Sequence, residues 1–387
     1  MKEAWTDYCR RLERAGLGLL DARPDASPAQ RAEAAGYLLG LVTSGIRQAL
    51  ELSDPDTPRF VRNPDHAARW GAENADNQYL WTRIRPNARY RITGERSSAF
   101  DFLIEVKEGY MQLGDERNFA TLTAAEIDVD DDGRFELIAS AERPANARCW
   151  LPLHRDARYV CVRQYLCDWQ SESPAHFAIE RLGGEGESPA ALTLQGAEAL
   201  LEAAGRWTEA TAAFWNEWIE RMLADFEPGT IRPARKLAGG ADDIYYGNDL
   251  YRIAPSEALV IETELPRARY WSFQLGDLWF RSLDWANHQT SINHAQALVD
   301  ADGRFRCVVA HRDPGVPNWL DTCGNELGML QYRWIWSEDN PLPDGRIVAF
   351  DEIRDALPRD TPSIGRDQRR AAIHVRQRHR ARREPVT

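Results

Sequence analysis

No apolar stretch in the 387 residues approaches the roughly 18 that a membrane helix requires. Met1 to Arg11 is polar and mixed in charge, without the basic start and apolar run of a signal peptide. These absences predict a cytoplasmic protein with no membrane partner. Cysteine is sparse: Cys9, Cys149, Cys161, Cys167, Cys307 and Cys323, with no Cys-x-x-Cys pair, which argues against a disulfide scaffold. Four of them (Cys149, Cys161, Cys167 and Cys307) lie in apolar runs and read as buried free thiols. There is no Gly-x-Ser-x-Gly elbow, no Walker-type phosphate loop and no His-Glu-x-x-His helix, which sets nucleotide-dependent and zinc-peptidase chemistry aside. Asp128, Asp130 and Asp132 alternate before a Gly as calcium ligands do, but Ala139 stands where the loop's final Glu belongs, so the run reads as a hairpin. No metal and no cofactor is expected.

Charge is present but uneven. Residues 366–383 hold eight Arg and one acid, a local +7, so the rest of the chain carries −19 of the net −12. An acidic body repels nucleic acid, which is not expected as a partner. The basic segment reads as an exposed terminal helix or tail that the fold does not need.

Two helical blocks punctuate the chain. Ser27-Pro28-Ala29-Gln30 supplies an N-cap, a first-turn Pro and a capping-box Gln, and the helix it starts should end before Pro55. A second block runs from about Ser188 or Thr193 to Phe226, behind the Gly183–Gly186 linker. Between and after them lie alternating and β-branched runs with Gly, Asp and Asn turns. The implied organisation is a helical segment (1–70), a first β-sandwich (71–185), a central helical segment (186–235), a second β-sandwich (236–350) and a basic tail (351–387).

The two β regions resemble each other. Asp130 to Phe135 matches Asp300 to Phe305 at an offset of 170, each an Asp-Gly hairpin signal. Trp150 falls opposite Trp319, and Arg163 opposite Arg333, at 169 and 170. Pro86 to Tyr90 matches Pro266 to Tyr270 at 180. Ordered matches of this kind predict a duplicated unit, with Tyr90 superposing on Tyr270. An Arg inside a strand is costly unless paired, so Arg163 and Arg333 should each meet a carboxylate or a ligand anion. One copy is expected to be structural and the other functional.

Arg269 to Phe273, Asn287 to Asn293 and especially His311 to Asp321 resemble the bacterial family called domain of unknown function 1214, over about residues 236–345. Glu73 to Tyr79 is similar to an element of its frequent partner, domain of unknown function 1254. The resemblance implies an α+β, mainly β protein with two jelly-roll-like antiparallel sandwiches, and no established reaction, cofactor or substrate.

Candidate chemistry is therefore argued residue by residue. His288, Asn293 and Arg333 are the candidate catalytic groups, His288 as a base because imidazole titrates near neutrality. Asn74, Asp76, Asn77, Tyr79 and Trp81 form a polar-aromatic run suited to a small ligand, or a set of turn caps on a strand. His311 and Trp319 join the expected substrate-binding set, because the Pro-stiffened loop from His311 to Asp321 holds polar groups in place. His288 and His294, with His311 or Asp313, form a second metal-like grouping, for which hydrogen-bonded loop histidines are the preferred reading. Three readings stay open. One is an enzyme acting on a small apolar or aromatic metabolite, in a pocket between a β-sandwich and the Trp207–Phe226 helix. The second is a non-catalytic small-molecule or sugar-binding module. The third is a homodimer or other assembly built on Trp-rich surfaces.

Overall fold

Ser27 caps its helix as the spacing predicts: its hydroxyl accepts from the Gln30 amide and the Gln30 side chain accepts from the Ser27 amide. That helix, α2 (Pro28–Leu50), follows α1 (Lys2–Asp21). The computed structural model describes residues 1–24, 26–236 and 244–384. The opening of the expected second sandwich, 237–243, and the last three tail residues, 385–387, lie outside the described residues.

The architecture is α+β, with four sheets forming two β-sandwich regions. After the short β1 (Val61–Arg62), eight strands follow: β2 (Asn77–Arg83), β3 (Tyr90–Glu95), β4 (Asp101–Lys107), β5 (Asn118–Thr123), β6 (Arg134–Ser140), β7 (Trp150–Pro152), β8 (Tyr159–Tyr165) and β9 (His176–Arg181). Helix α3 (Leu194–Asp225) intervenes. Eight more strands come next: β10 (Ile244–Arg252), β11 (Glu257–Glu264), β12 (Ala268–Gly276), β13 (Ser291–Asn293), β14 (Arg304–Ala310), β15 (Trp319–Asp321), β16 (Leu327–Ser337) and β17 (Asp344–Ala349). Helix α4 (Arg366–Arg383) ends the chain. Among the described residues no helix is long and apolar enough to cross a membrane.

The sheets run β1-β2-β8-β4-β5 and β7-β6-β3-β9 in the first sandwich, β10-β16-β12-β13 and β15-β14-β11-β17 in the second. Matching β2–β9 to β10–β17 in order makes the two strand orders identical, apart from the extra edge strand β1. Each sandwich also has one parallel pair in the same place, β6 with β7 and β14 with β15. Gly133 and Gly303 sit in matching hairpin turns at φ 80° and 81°, a left-handed conformation that a Cβ would disfavour.

One expected equivalence is wrong. Tyr90 lies on β3, opposite Ala139 of β6, whereas Tyr270 lies on β12, opposite Ile335 of β16. The register makes Leu259, opposite Val309, the counterpart of Tyr90. It makes Asp101, opposite Tyr165, the counterpart of Tyr270. Pro-x-Ala-Arg-Tyr leads into a strand in both places, but such chemistry recurs at many strand entries, whereas side-chain register is set by what each face buries.

The chain divides into two compact units, and the division is not a single cut. The first comprises 1–70, 77–166 and 172–216; the second comprises 71–76, 167–171 and 217–387. The first sandwich packs Ile92, Phe102, Leu137 and Val162 between its sheets, and the second packs Phe273, Phe305, Tyr332 and Trp334. Most Trp residues of the second unit fill interiors: Trp271, Trp279, Trp285, Trp319 and Trp334 are buried, whereas Trp218 and Trp336 are half-buried.

The C-terminal segment departs from its reading as a dispensable exposed tail. It is helical, and Arg369, Arg376, His379 and Arg383 on it are buried. Composition misled here because Arg was taken as a solvent group, whereas a guanidinium can be buried when aromatic faces and carbonyls surround it.

Candidate functional site

In the second unit, β12 and β16 alternate strictly. Phe273, Leu275, Tyr332 and Trp334 face the sandwich core. The residues between them, Tyr270, Ser272, Gln274, Gln331 and Arg333, therefore share the outer face, and all are buried. A face that is both polar and buried needs partners, and the strip Gly71–Asp76 supplies them. Gln274 donates to the Glu73 carbonyl at 2.8 Å and accepts from the Ala75 amide at 2.8 Å. Gln274 also donates to Gln331, which donates in turn to Asn248.

Asp76 is the centre of this network. One carboxylate oxygen accepts from Asn293 Nδ2 at 2.7 Å and Trp169 Nε1 at 2.9 Å; the other accepts from the Tyr270 hydroxyl at 2.6 Å. Asn74 donates to the same hydroxyl at 2.9 Å. Burial pushes the Asp76 carboxyl above its ordinary range, against the pull of Tyr270, Arg383, Asn293 and Arg376. Helix α4 delivers the two arginines. Arg376 donates to the carbonyls of Trp285 and Ser291, and Arg383 to that of Ala75 at 2.6 Å. Burial brings the Arg376 guanidinium down to about 10. Both cations lie over Trp169, at 4.7 and 5.2 Å from the ring centre. His379 stacks on the same indole and accepts from Arg383 Nε at 2.7 Å; burial, then the neighbouring arginines, hold its pKa far below the usual imidazole value.

The expected run from Asn74 to Trp81 is thus divided. Asn74 and Asp76 belong to the second unit, while Asn77, Tyr79 and Trp81 lie on β2 of the first. Trp81 stacks on Tyr110 with ring centres 4.3 Å apart. Tyr79 lies beneath the Arg163 guanidinium at 5.6 Å.

Arg163 and Arg333 occupy equivalent positions and differ in their partners. Arg163 pairs with the fully buried Glu105 at 2.5 Å, and Lys107 reaches the other oxygen of that carboxylate at 3.5 Å. Burial would raise the Glu105 carboxyl, but the two cations outweigh it and the net direction is down. By register, Leu103 faces Arg163 as Ser272 faces Arg333, so the counterpart of Glu105 is Gln274. The neutral amide leaves Arg333 without a carboxylate among the described residues. Its Nη2 donates to the Ala72 carbonyl at 2.7 Å, and its buried Nη1 meets no acceptor there. The backbone beside it is strained: Ala72 and Phe280, both non-glycine at φ 49° and 55°, are joined by an amide-to-carbonyl bond of 2.7 Å.

The remaining candidates separate from this network. His311 is held by the Ile253 carbonyl and Thr322, and Trp319 donates to the Ala310 carbonyl beneath Arg369. His288 is half exposed, with Nδ1 2.8 Å from Asp321. The donor atoms of His288, Asp321 and Cys323 lie within 4.8 Å of one another. The sequence reading had not singled out Glu105, Tyr270, Trp169 or the α4 arginines as site residues. Arg369, Arg376 and Arg383 recur every seven residues, a spacing that places them along one helix face and could have been noticed. Nothing local marks Trp169 as their platform.

Residues 247–337 match the family described as a protein of unknown function, DUF1214. The likeness of residues 73–79 to domain of unknown function 1254 is not shown by that match. An uncharacterized protein from Burkholderia cenocepacia has a similar crystal structure, with a TM-score of 0.84 and 29% identity over 92% of this chain and 98% of that one. A protein from Vibrio parahaemolyticus aligns over 86% of this chain and 99% of its own, at a TM-score of 0.49 and 12% identity. No curated protein matches.

Proposed function

We propose that the chain binds a small organic acid with an apolar or aromatic body, and that Arg333 receives its anionic group. The observation that carries this reading is the asymmetry of the repeat. A buried guanidinium without a counter-charge costs several kcal/mol, and in the first sandwich Glu105 removes that cost. In the second, Gln274 stands in its place, which suits a site where the counter-charge arrives with a ligand. The guanidinium is covered by the strip carrying Gly71 and Ala72, so entry requires that strained strip to lift. Sugar or lipid binding on Trp platforms has less support, since the Trp side chains of the second unit are mostly interior. A separate, catalytic reading rests on the His288–Asp321 pair outside the Arg333 network, in which a carboxylate orients an imidazole as a general base requires.

The test is thermal melting with a panel of aryl and alkyl carboxylates and their neutral amides. At least one carboxylate should raise the midpoint while its amide does not, and R333M should weaken that acid by about 10- to 100-fold, the worth of a charged hydrogen bond. An equal response to acid and amide, or an undiminished response in R333M, would overturn the proposal.

A further inference from the structure

We infer that His288, Asp321 and Cys323 form a binding site for a zinc-like divalent transition metal. The three supply an imidazole nitrogen, a carboxylate oxygen and a thiol sulfur, within 4.8 Å of one another. Tetrahedral zinc holds such donors at about 2.0–2.3 Å, which brings the donors to roughly 3.5 Å from one another. His288 Nδ1 and Asp321 Oδ2, 2.8 Å apart, must open by roughly half an ångström while donors set farther apart close in, small adjustments for side chains of this kind. His288 and Cys323 are exposed, and the Asp321 side chain is 14% exposed.

The backbone holds the set in place. The Asp321 amide donates to the Gln289 carbonyl at 2.8 Å, which fixes the residue after His288 beside the end of β15. The Cys323 amide donates to Asp321 Oδ1 at 2.9 Å, leaving Oδ2 on the imidazole side. A thiolate and a carboxylate together balance a divalent charge, and a soft sulfur with a nitrogen favours zinc over calcium or magnesium. Three protein ligands leave a fourth position for water, the arrangement of catalytic rather than structural zinc. This inference does not depend on the Arg333 reading.

The experiment is titration of the full chain with Co²⁺ as a spectroscopic probe, followed by Zn²⁺ competition and elemental analysis after gel filtration. Expected are one metal per chain and a thiolate-to-cobalt charge-transfer band in the near ultraviolet that zinc abolishes. C323S should remove the band, and H288Q should weaken binding at least tenfold with the melting temperature nearly unchanged. Absence of the band, or stoichiometric zinc retained by the C323S/H288Q double variant, would overturn the site. Carboxylate binding by these variants separates the two proposals, because Arg333 is intact in them.

Discussion

At the scale of single residues, two arginines in one structural position make opposite demands. Arg163 and Lys107 both pair with Glu105, so E105Q puts a neutral amide in place of the carboxylate that faces a buried Lys107 and a partly buried Arg163. It should cost about 3–5 kcal/mol in urea denaturation. R333M removes a cation that no carboxylate balances among the described residues, and gives up one hydrogen bond to Ala72. Relief of the unbalanced charge offsets the lost bond, so its stability should fall by no more than about 1.5 kcal/mol. Equal losses in the two variants would show that Arg333 is balanced as Arg163 is, and the asymmetry would lose its meaning. The position of both arginines inside strands was legible in the sequence. Their partners were not, because Glu105 is 58 residues from Arg163 and only strand pairing brings them together.

At the scale of elements, α4 is where reading by composition failed. Its arginines bracket Trp169 and Trp285, which are buried. Deleting residues 366–384 should cost at least about 3 kcal/mol, the worth of one large buried aromatic, and lower the melting temperature by roughly 6–12 °C. An unchanged melting temperature would restore the dispensable tail. The helix also carries a pH dependence. His379 is held neutral by burial and by Arg383, Arg382 and Arg376, so its folded pKa lies below its unfolded value of about 6.5. Below about pH 6.5 the unfolded chain binds a proton that the folded chain refuses. This contribution to stability is therefore complete above that pH and falls by up to about 1.4 kcal/mol per unit beneath it. His294, lowered by burial, acts in the same sense, whereas Asp76, raised by burial, acts in the opposite one. The comparison that isolates His379 is H379Q, which keeps an acceptor for Arg383. Melting temperatures from pH 7.5 to 5 should fall less steeply in H379Q than in the parent, and parallel curves would contradict the assignment.

At the scale of the whole molecule, the second unit is discontinuous. It borrows 71–76 and 167–171 from the part of the sequence that holds the first sandwich. Asp76 and Trp169 reach the network around Tyr270, Asn293 and Arg383 through those insertions. A fragment of residues 217–387 contains every strand of the second sandwich but neither segment. It should lack native side-chain order, with strand signal in far-ultraviolet circular dichroism and poor dispersion in proton NMR. A well-dispersed spectrum would show that the two borrowed segments are accessory.

The sequence by itself determined the α+β, mainly β class, the Ser27 cap, the paired Asp-Gly hairpins and the equivalence of Arg163 with Arg333. Each follows from local chemistry: positive φ at Gly133 and Gly303, a capping box, and alternation along a strand. It also singled out Asn74, Asp76, Asn293 and His288 as polar groups of interest. Only the tertiary structure decided what those groups do. It joined Asp76 to Asn293 across 217 residues, assigned Asn77 and Asp76 to different units, and brought Cys323 to His288 and Asp321. Hydrogen bonds and ion pairs act over about 3 Å in space, whatever the separation along the chain, and that separation is all that spacing and composition record.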